Sequence, residues 1–136
     1  MSIISEVGFH VSQTKNKNYL QGDTIMFDDA ATNLGGAFSK TDGQFTCSVS
    51  GTYLFNLNIL ADNKSYIEAA IMRNETPVFR ALSYNKYGTW SQGGGTVILR
   101  LSVNDVIKVK MVAPKSGSQT LLGGFSDFSG YLLKAA

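Results

Sequence analysis

Few residues in this chain can do covalent or metal chemistry. Its 136 residues include one cysteine, Cys47, and one histidine, His10. A thiol nucleophile needs a neighbouring base to take its proton, and His10 is the sole imidazole. In "VGFHVS" the period-two alternation puts Val7, Phe9 and Val11 on one face and His10 on the other. In "GQFTCSVSG" Cys47 shares a face with Phe45 and Val49. That face is apolar, so Cys47 is expected to pack as a small hydrophobe. One Cys and one His do not supply the four ligands of a zinc site. "SVSGT" (48–52) lies at a strand boundary, without the following helix of a nucleophile elbow. The ten acidic residues lie mostly in turns, not as a pair across a cleft for glycoside hydrolysis. "GGG" (93–95) lacks the Lys-Ser/Thr of a phosphate loop. The reading is a protein that is not an enzyme.

Binding chemistry has better candidates. "YNKYGTWSQ" (84–92) carries Tyr84, Tyr87 and Trp90 in a polar stretch with a glycine. Aromatic rings with a polar tip are favoured at recognition surfaces, and sugars stack their C–H faces on them. The competing reading packs these rings under the loop or at a subunit seam. "ADNK" (61–64) offers Asp62, Asn63 and Lys64 to hydroxyl groups, or is a plain turn built from turn-favouring residues. Lys108 and Lys110 form a small basic stripe, beside Arg100 if 97–103 and 106–112 pair as a hairpin. A merely solvated face competes with that reading, since exposed charges contribute little.

The elements that must position these residues are strands. Tyr53, Phe55, Leu57 and Ile59 alternate with Leu54, Asn56 and Asn58. Val97, Leu99, Leu101 and Val103 alternate with Ile98, Arg100 and Ser102, and Ile107, Val109 and Met111 with Lys108 and Lys110. This is the pattern of antiparallel sheets with one wet face. "YIEAAIMR" (66–73) reads as a strand rather than a helix, because its flanks are turn-rich. Short strands at even spacing with Gly-rich turns imply an all-β sandwich, barrel or jelly roll. Ile98, Leu54 and Leu132 fall outside the main core set and hint at a second buried surface.

Composition sets the bounds. The length suits one domain with its own core. Lys plus Arg total 12 against 10 Asp plus Glu, a net charge of +2, with the basic residues scattered. No basic block points to nucleic acid. No 18-residue apolar run points to membrane insertion. The opening residues do not read as a signal peptide. They are expected to form an N-terminal extension, 1–6, before a domain spanning 7–136. Either the protein is made in the cytosol or the sequence begins at a mature domain.

The order of motifs resembles a known family. "IMFDDAATNLGGAFSKTDGQFTCSVSGTYLF" (25–55) is similar to the signature of the complement C1q globular-head family. The matching residues are Phe27, Asn33, Gly35, Phe38, Thr41, Gly43, Phe45, Cys47, Gly51, Tyr53 and Phe55. "GGGTVILRLSVNDVIKV" (93–109) resembles its Gly-x-x-x-Leu-x-Leu-x-x-Gly-Asp-x-Val strand pair, and "FSGYLL" (128–133) its closing segment. The resemblance runs from about Val7 to Leu133. It implies a ten-stranded jelly roll of the tumour-necrosis-factor-like type, a homotrimer, and an extracellular, secreted location. It also implies lectin-like recognition of microbial glycans in innate immunity. A signalling ligand for a protein receptor and a structural trimerisation domain are the alternatives. Asn104 replaces the usual Gly before Asp105, Ser48 replaces the usual Pro, and no collagen-like Gly-X-Y run is present. The acidic positions of calcium-binding members fall near Ser65 and Asn74, which counts against calcium; no other cofactor is expected.

Overall fold

The computed structural model describes residues 6–136, so the expected N-terminal extension lies, apart from Glu6, outside the described residues. The chain folds as two five-stranded antiparallel sheets packed face to face. One runs in the order β3 (Asp29–Leu34), β1 (Gly8–Ser12), β12 (Asp127–Ala135), β6 (Gly51–Ile59), β9 (Gly93–Leu101). The other runs β4 (Phe38–Ser39), β5 (Gln44–Thr46), β10 (Val106–Ala113), β7 (Tyr66–Arg73), β8 (Thr76–Tyr84). A ribbon of β2 (Lys17–Tyr19) and β11 (Gln119–Leu121) joins the ten strands of this jelly roll. Residues 66–73 are a strand, as the flanking turns imply.

β6 shows how the pattern builds the core. Gly51, Tyr53, Phe55, Leu57 and Ile59 are buried, while the intervening residues are half-exposed. A ring cluster fills the space between the sheets. Phe9 lies 4.9 Å from Phe38, 5.4 Å from Phe45 and 5.2 Å from Phe128, centroid to centroid. A Cβ on Gly130 would stand 2.6 Å from the Phe55 ring and 2.7 Å from that of Phe9, so the rings can close there only over a glycine.

Two expectations fail for one reason. β9 pairs with β6 and β10 pairs with β5 and β7, so 97–103 and 106–112 belong to different sheets and form no hairpin. Arg100 therefore does not join Lys108 and Lys110, which instead clamp the exposed Glu75 carboxylate at 2.9 Å each. Val103 lies in the crossing turn and is exposed. Asn104 takes φ 76° there, as the tight turn requires of a residue in the usual glycine's place. Leu132 lies on the core face of β12, so it is no part of a second surface.

Asn74 and Glu75 form the two-residue β7–β8 turn and both have positive φ, as the primed hairpin turns demand. Hydrogen bonds from Lys108 and then Lys110, reinforced by their charge, pull the Glu75 carboxyl from its ordinary 4.5 down to about 2. A depressed carboxyl contributes stability that is full above its unfolded value and disappears as pH falls through its folded value. Between pH 4.5 and 2 the wild type should therefore lose more thermal stability than Glu75→Gln does, and added salt should shrink the difference. Melting curves of both proteins across that range check this.

Cys47 is buried, and its thiol donates to the Val49 carbonyl at 3.2 Å. The Tyr53 hydroxyl donates to the same oxygen at 2.5 Å. Burial pushes the Cys47 thiol above its ordinary pKa. Cys47→Ser keeps an acceptor in reach, so its cost should be about 1 kcal/mol by chemical denaturation, the net scale of one imperfect hydrogen bond. In the folded wild type the thiol should react with a maleimide only at the rate of local opening. Rapid labelling under native conditions would contradict the packing.

Candidate functional site

The loop 85–92, the turn 61–65 and the segment 122–126 meet at one end of the sandwich. A buried asparagine organises them. Asn85 donates from Nδ2 to the Ala61 carbonyl at 2.6 Å, and its Oδ1 accepts from the Ser91 amide. Its backbone N–H reaches the Ser65 carbonyl at 2.9 Å, and its own carbonyl accepts from Lys64 and Gly88 at 2.9 and 3.0 Å. Ser83, also buried, accepts from the Ala61 amide at 2.8 Å and donates to the Ser91 carbonyl at 2.5 Å. Ala81, Ser83 and Asn85 continue the inward face of β8, so buried polar groups fix a loop whose outer residues stay in water.

The structure divides the three aromatic candidates. Tyr84 is the last residue of β8 rather than part of the loop, and its ring stands 5.2 Å from Tyr66 and 6.3 Å from Tyr87. Tyr87 is 78% exposed, so it does not pack beneath the loop. Trp90 turns to a separate cleft of about 480 Å³, lined by Leu60, Trp90, Gln92, Leu122 and Phe125. Trp90 and Phe125 are 52% and 58% exposed. Gln92 holds the two segments together by donating to the Phe125 carbonyl at 3.1 Å. Trp90 has φ 49°, an uncommon conformation for a bulky residue.

Asp62, Asn63 and Lys64 form a turn with Lys64 at φ 68°. Asp62 already accepts from its neighbour's amide, Asn63 N–H, at 2.8 Å and from Asn16 at 3.3 Å, so its carboxylate is largely engaged. Asn63 and Lys64 are exposed. The turn and the aromatic loop are brought together through Asn85. Sequence reasoning misses Tyr66 and Phe125. Tyr66 lies in a strand whose cross-strand partner is Tyr84, a pairing that only the register discloses. The "GGF" at 123–125, a large apolar residue after two glycines, is the available signal for Phe125.

The calcium-site positions do other work. Ser65 Oγ accepts from the Thr120 amide at 3.1 Å. Asn74 donates to Asp105 and accepts from the Val106 amide, both at 2.8 Å. Among the described residues no three His, Cys, Asp or Glu side chains gather as a metal site.

The outer face of the β3-β1-β12-β6-β9 sheet carries an apolar row. Cross-strand partners Leu34, Gly8, Tyr131, Leu54 and Ile98 run through all five strands. Ile98, on the outermost strand, is 60% exposed. A shallow cleft of about 170 Å³ lies between Leu34, Leu54 and Tyr131, because the Tyr131 ring lies over Gly8, where a Cβ would approach it to 2.8 Å. The neighbouring row, Thr32, His10, Ser129, Asn56 and Thr96, is polar.

Comparisons with known proteins agree with this architecture. The C1q domain model matches residues 8–133. The complement C1q B subcomponent from Homo sapiens is 25% identical over 130 residues, covering 94% of this chain and 50% of that protein, and the Rattus norvegicus protein is 25% identical over 130 residues, covering 94% and 51%. The chain thus spans about half the length of the curated relatives it matches. The globular domain of zebrafish complement 1qA superposes with a TM-score of 0.77 at 18% identity, covering 96% of this chain and 99% of that one. The Eiger TNF of S. frugiperda does so with 0.78 at 14% identity, covering 96% and 94%. Murine APRIL gives 0.71 at 14% identity, covering 95% and 100%. C1q domains are binding modules without catalytic activity. With the jelly roll, the motif order and the family match running through nearly the whole described chain, this protein belongs to the C1q domain family.

Proposed function

We propose that this chain acts as a secreted homotrimer that recognises carbohydrate, in the manner of a lectin-like pattern-recognition head for microbial glycans. The observation that carries the reading is the Trp90–Phe125 cleft. Two large rings stay in water at its rim while the backbone beneath them is pinned by Asn85, Ser83 and Gln92. Holding a bulky residue at positive φ costs free energy, and such outliers cluster at ligand sites. The rings offer faces for the C–H surface of a sugar, and Gln92 offers an amide to its hydroxyls. Tyr84 and Tyr87, with Asn63 and Lys64 nearby, supply a second, weaker surface of the same kind. Weak sites repeated on a trimer gain avidity on repetitive targets if a ligand reaches two at once.

The trimer rests on the apolar row. Ile98 projects from an edge strand, and the Leu34–Leu54–Tyr131 cleft runs across the inner strands of the same face, beginning at Leu54, the cross-strand neighbour of Ile98. Edge-to-face insertion of Ile98 into the neighbour's cleft is a heterologous contact, which closes into a ring when the rotation is right. A second reading is a receptor-binding signal of the tumour-necrosis-factor type. The superposition on Eiger TNF and APRIL favours it at the level of fold.

Ile98→Glu should convert a trimer to monomer in sedimentation velocity, because a carboxylate would be buried without a partner. Retention of the trimer would place the seam elsewhere. Trp90→Ala should keep the trimer and reduce binding on a glycan array by about tenfold or more, the scale of a stacking anchor. A folded trimer that binds no glycan would move the assignment to the receptor reading, and loss of the trimer in Trp90→Ala would put that ring in the seam.

A further inference from the structure

A second cleft, of about 490 Å³, opens between the β1–β2 connection and the β4–β5 turn. Lys15, Asn16, Lys17 and Lys40 line it, with Met26 and the buried Phe27 as its apolar floor. Three lysines from two separate stretches of sequence thus converge on one concave surface. Four lysine or arginine side chains find acids: Arg73 meets Asp105, Arg80 meets Glu68, and Lys108 and Lys110 meet Glu75. The others, in the cleft and outside it, do not, and what sets the cleft apart is that three of them converge; Lys17 Nζ also lies 5.6 Å over the Tyr19 ring. Among the described residues Lys15, Lys17 and Lys40 make no ion pair. The carboxylate in the lining, Asp28, is turned to Thr14 and accepts both its amide, at 2.8 Å, and its hydroxyl. That engagement with Thr14 lowers the Asp28 pKa, so it stays charged and occupied.

The backbone that presents Lys15 and Lys17 is fixed in advance. Buried Gln13 donates to the Lys15 and Leu121 carbonyls at 2.8 and 2.9 Å and accepts from the Tyr19 hydroxyl at 2.7 Å. Gly123 lies so close to the Lys15 backbone that a Cβ there would meet it at 2.5 Å. Asn16 accepts from the Gly123 amide at 2.9 Å and donates to Asp62 at 3.3 Å. It therefore forms the wall between this cleft and the loops that carry Asp62 and Phe125.

We infer that this cleft binds the acid groups, sulfate or carboxylate, of a polyanionic polysaccharide. Ammonium groups that converge on one concave surface raise the local potential for an oxyanion, with only the lysine side chains left to order on binding. The shared wall at Asn16 lets one polymer lie across both the lysine cleft and the aromatic loops; only this choice of a polysaccharide carrier rests on the carbohydrate reading above.

The test uses the full chain and three immobilised probes: dextran sulfate, polygalacturonate and neutral dextran. One variant carries Lys15→Gln, Lys17→Gln and Lys40→Gln. A control with the same charge loss carries Lys108→Gln, Lys110→Gln and Lys115→Gln, on the β10 face and the exposed loop after it. Wild type should bind one or both polyanions, with affinity falling as salt rises. The cleft variant should lose about tenfold and the control far less, as three partly exposed charge contacts imply. Equal loss in both variants would reduce the effect to bulk charge and overturn the site, as would unchanged binding in the cleft variant. Selectivity between dextran sulfate and polygalacturonate identifies the acid group. If Trp90→Ala leaves every probe unaffected while the lysine dependence persists, the aromatic site fails and the anion site stands.

Discussion

Two sheets that share no strand have no backbone ladder between them, so side chains must hold them together. The rings around Phe9 do this. Phe9, Phe55 and Phe128 come from one sheet, and Phe38 and Phe45 from the other. Each fully buried Phe contributes on the order of 2 kcal/mol by removal from water, and the tilted and edge-on contacts add to that. The cluster dictates sequence at a distance. Gly130 has to lack a side chain because Phe9 and Phe55 occupy its place. The sheet edges obey the same constraint: Gly93 packs on the Leu82 backbone and Gly95 on the Phe79 ring, so β8 and β9 close one side of the sandwich without a hydrogen-bonded ladder.

A core fixed by period-two alternation determines what is left outside. Every second residue of β1, β12, β6 and β9 is committed inward, and the remainder form the outer face. On that face the register stacks residues by row, across strands, rather than along any strand. Leu34, Tyr131, Leu54 and Ile98 therefore join into an apolar band although no two are neighbours in sequence. The band is beside a polar row rather than scattered among it. An unpartnered apolar row of this extent on an otherwise wet sheet is characteristic of an interaction surface.

Much of this is legible in the sequence. The alternation in β6 and β10 marks the strands and their inward faces, and the placement of Cys47 beside Phe45 marks its burial. Pairing is less legible, because alternation fixes which face a residue takes but not which strand lies alongside. The 102–105 turn looks like a hairpin turn, yet it carries the chain from one sheet to the other. That is why the pattern groups Arg100 with Lys108 and Lys110. Leu132 is a different case: alternation from Phe128 through Gly130 points it inward, and grouping it with Ile98 and Leu54 runs against that pattern. The lysine cleft, like the true neighbours of Arg100, is hidden from alternation. Lys15, Lys17 and Lys40 look scattered along the chain, and only the folded connections bring them to one surface.

The polar interior at the loop-bearing end follows a different logic from the ring cluster. Burying Ser83 and Asn85 costs desolvation that apolar residues would avoid, and it is offset only because every polar atom finds a partner. Hydrogen bonds have direction, whereas apolar packing in a small loop would permit several arrangements. Asn85 engages both its amide ends, its N–H and its carbonyl, and so fixes the 61–65 turn and the 85–92 loop as one body. That rigidity sustains Trp90 at positive φ with its ring in solvent. The loop that carries the exposed ring thus takes its order from groups that never touch solvent: the Asn85 amide and the Ser83 hydroxyl fix the backbone from which Trp90 projects.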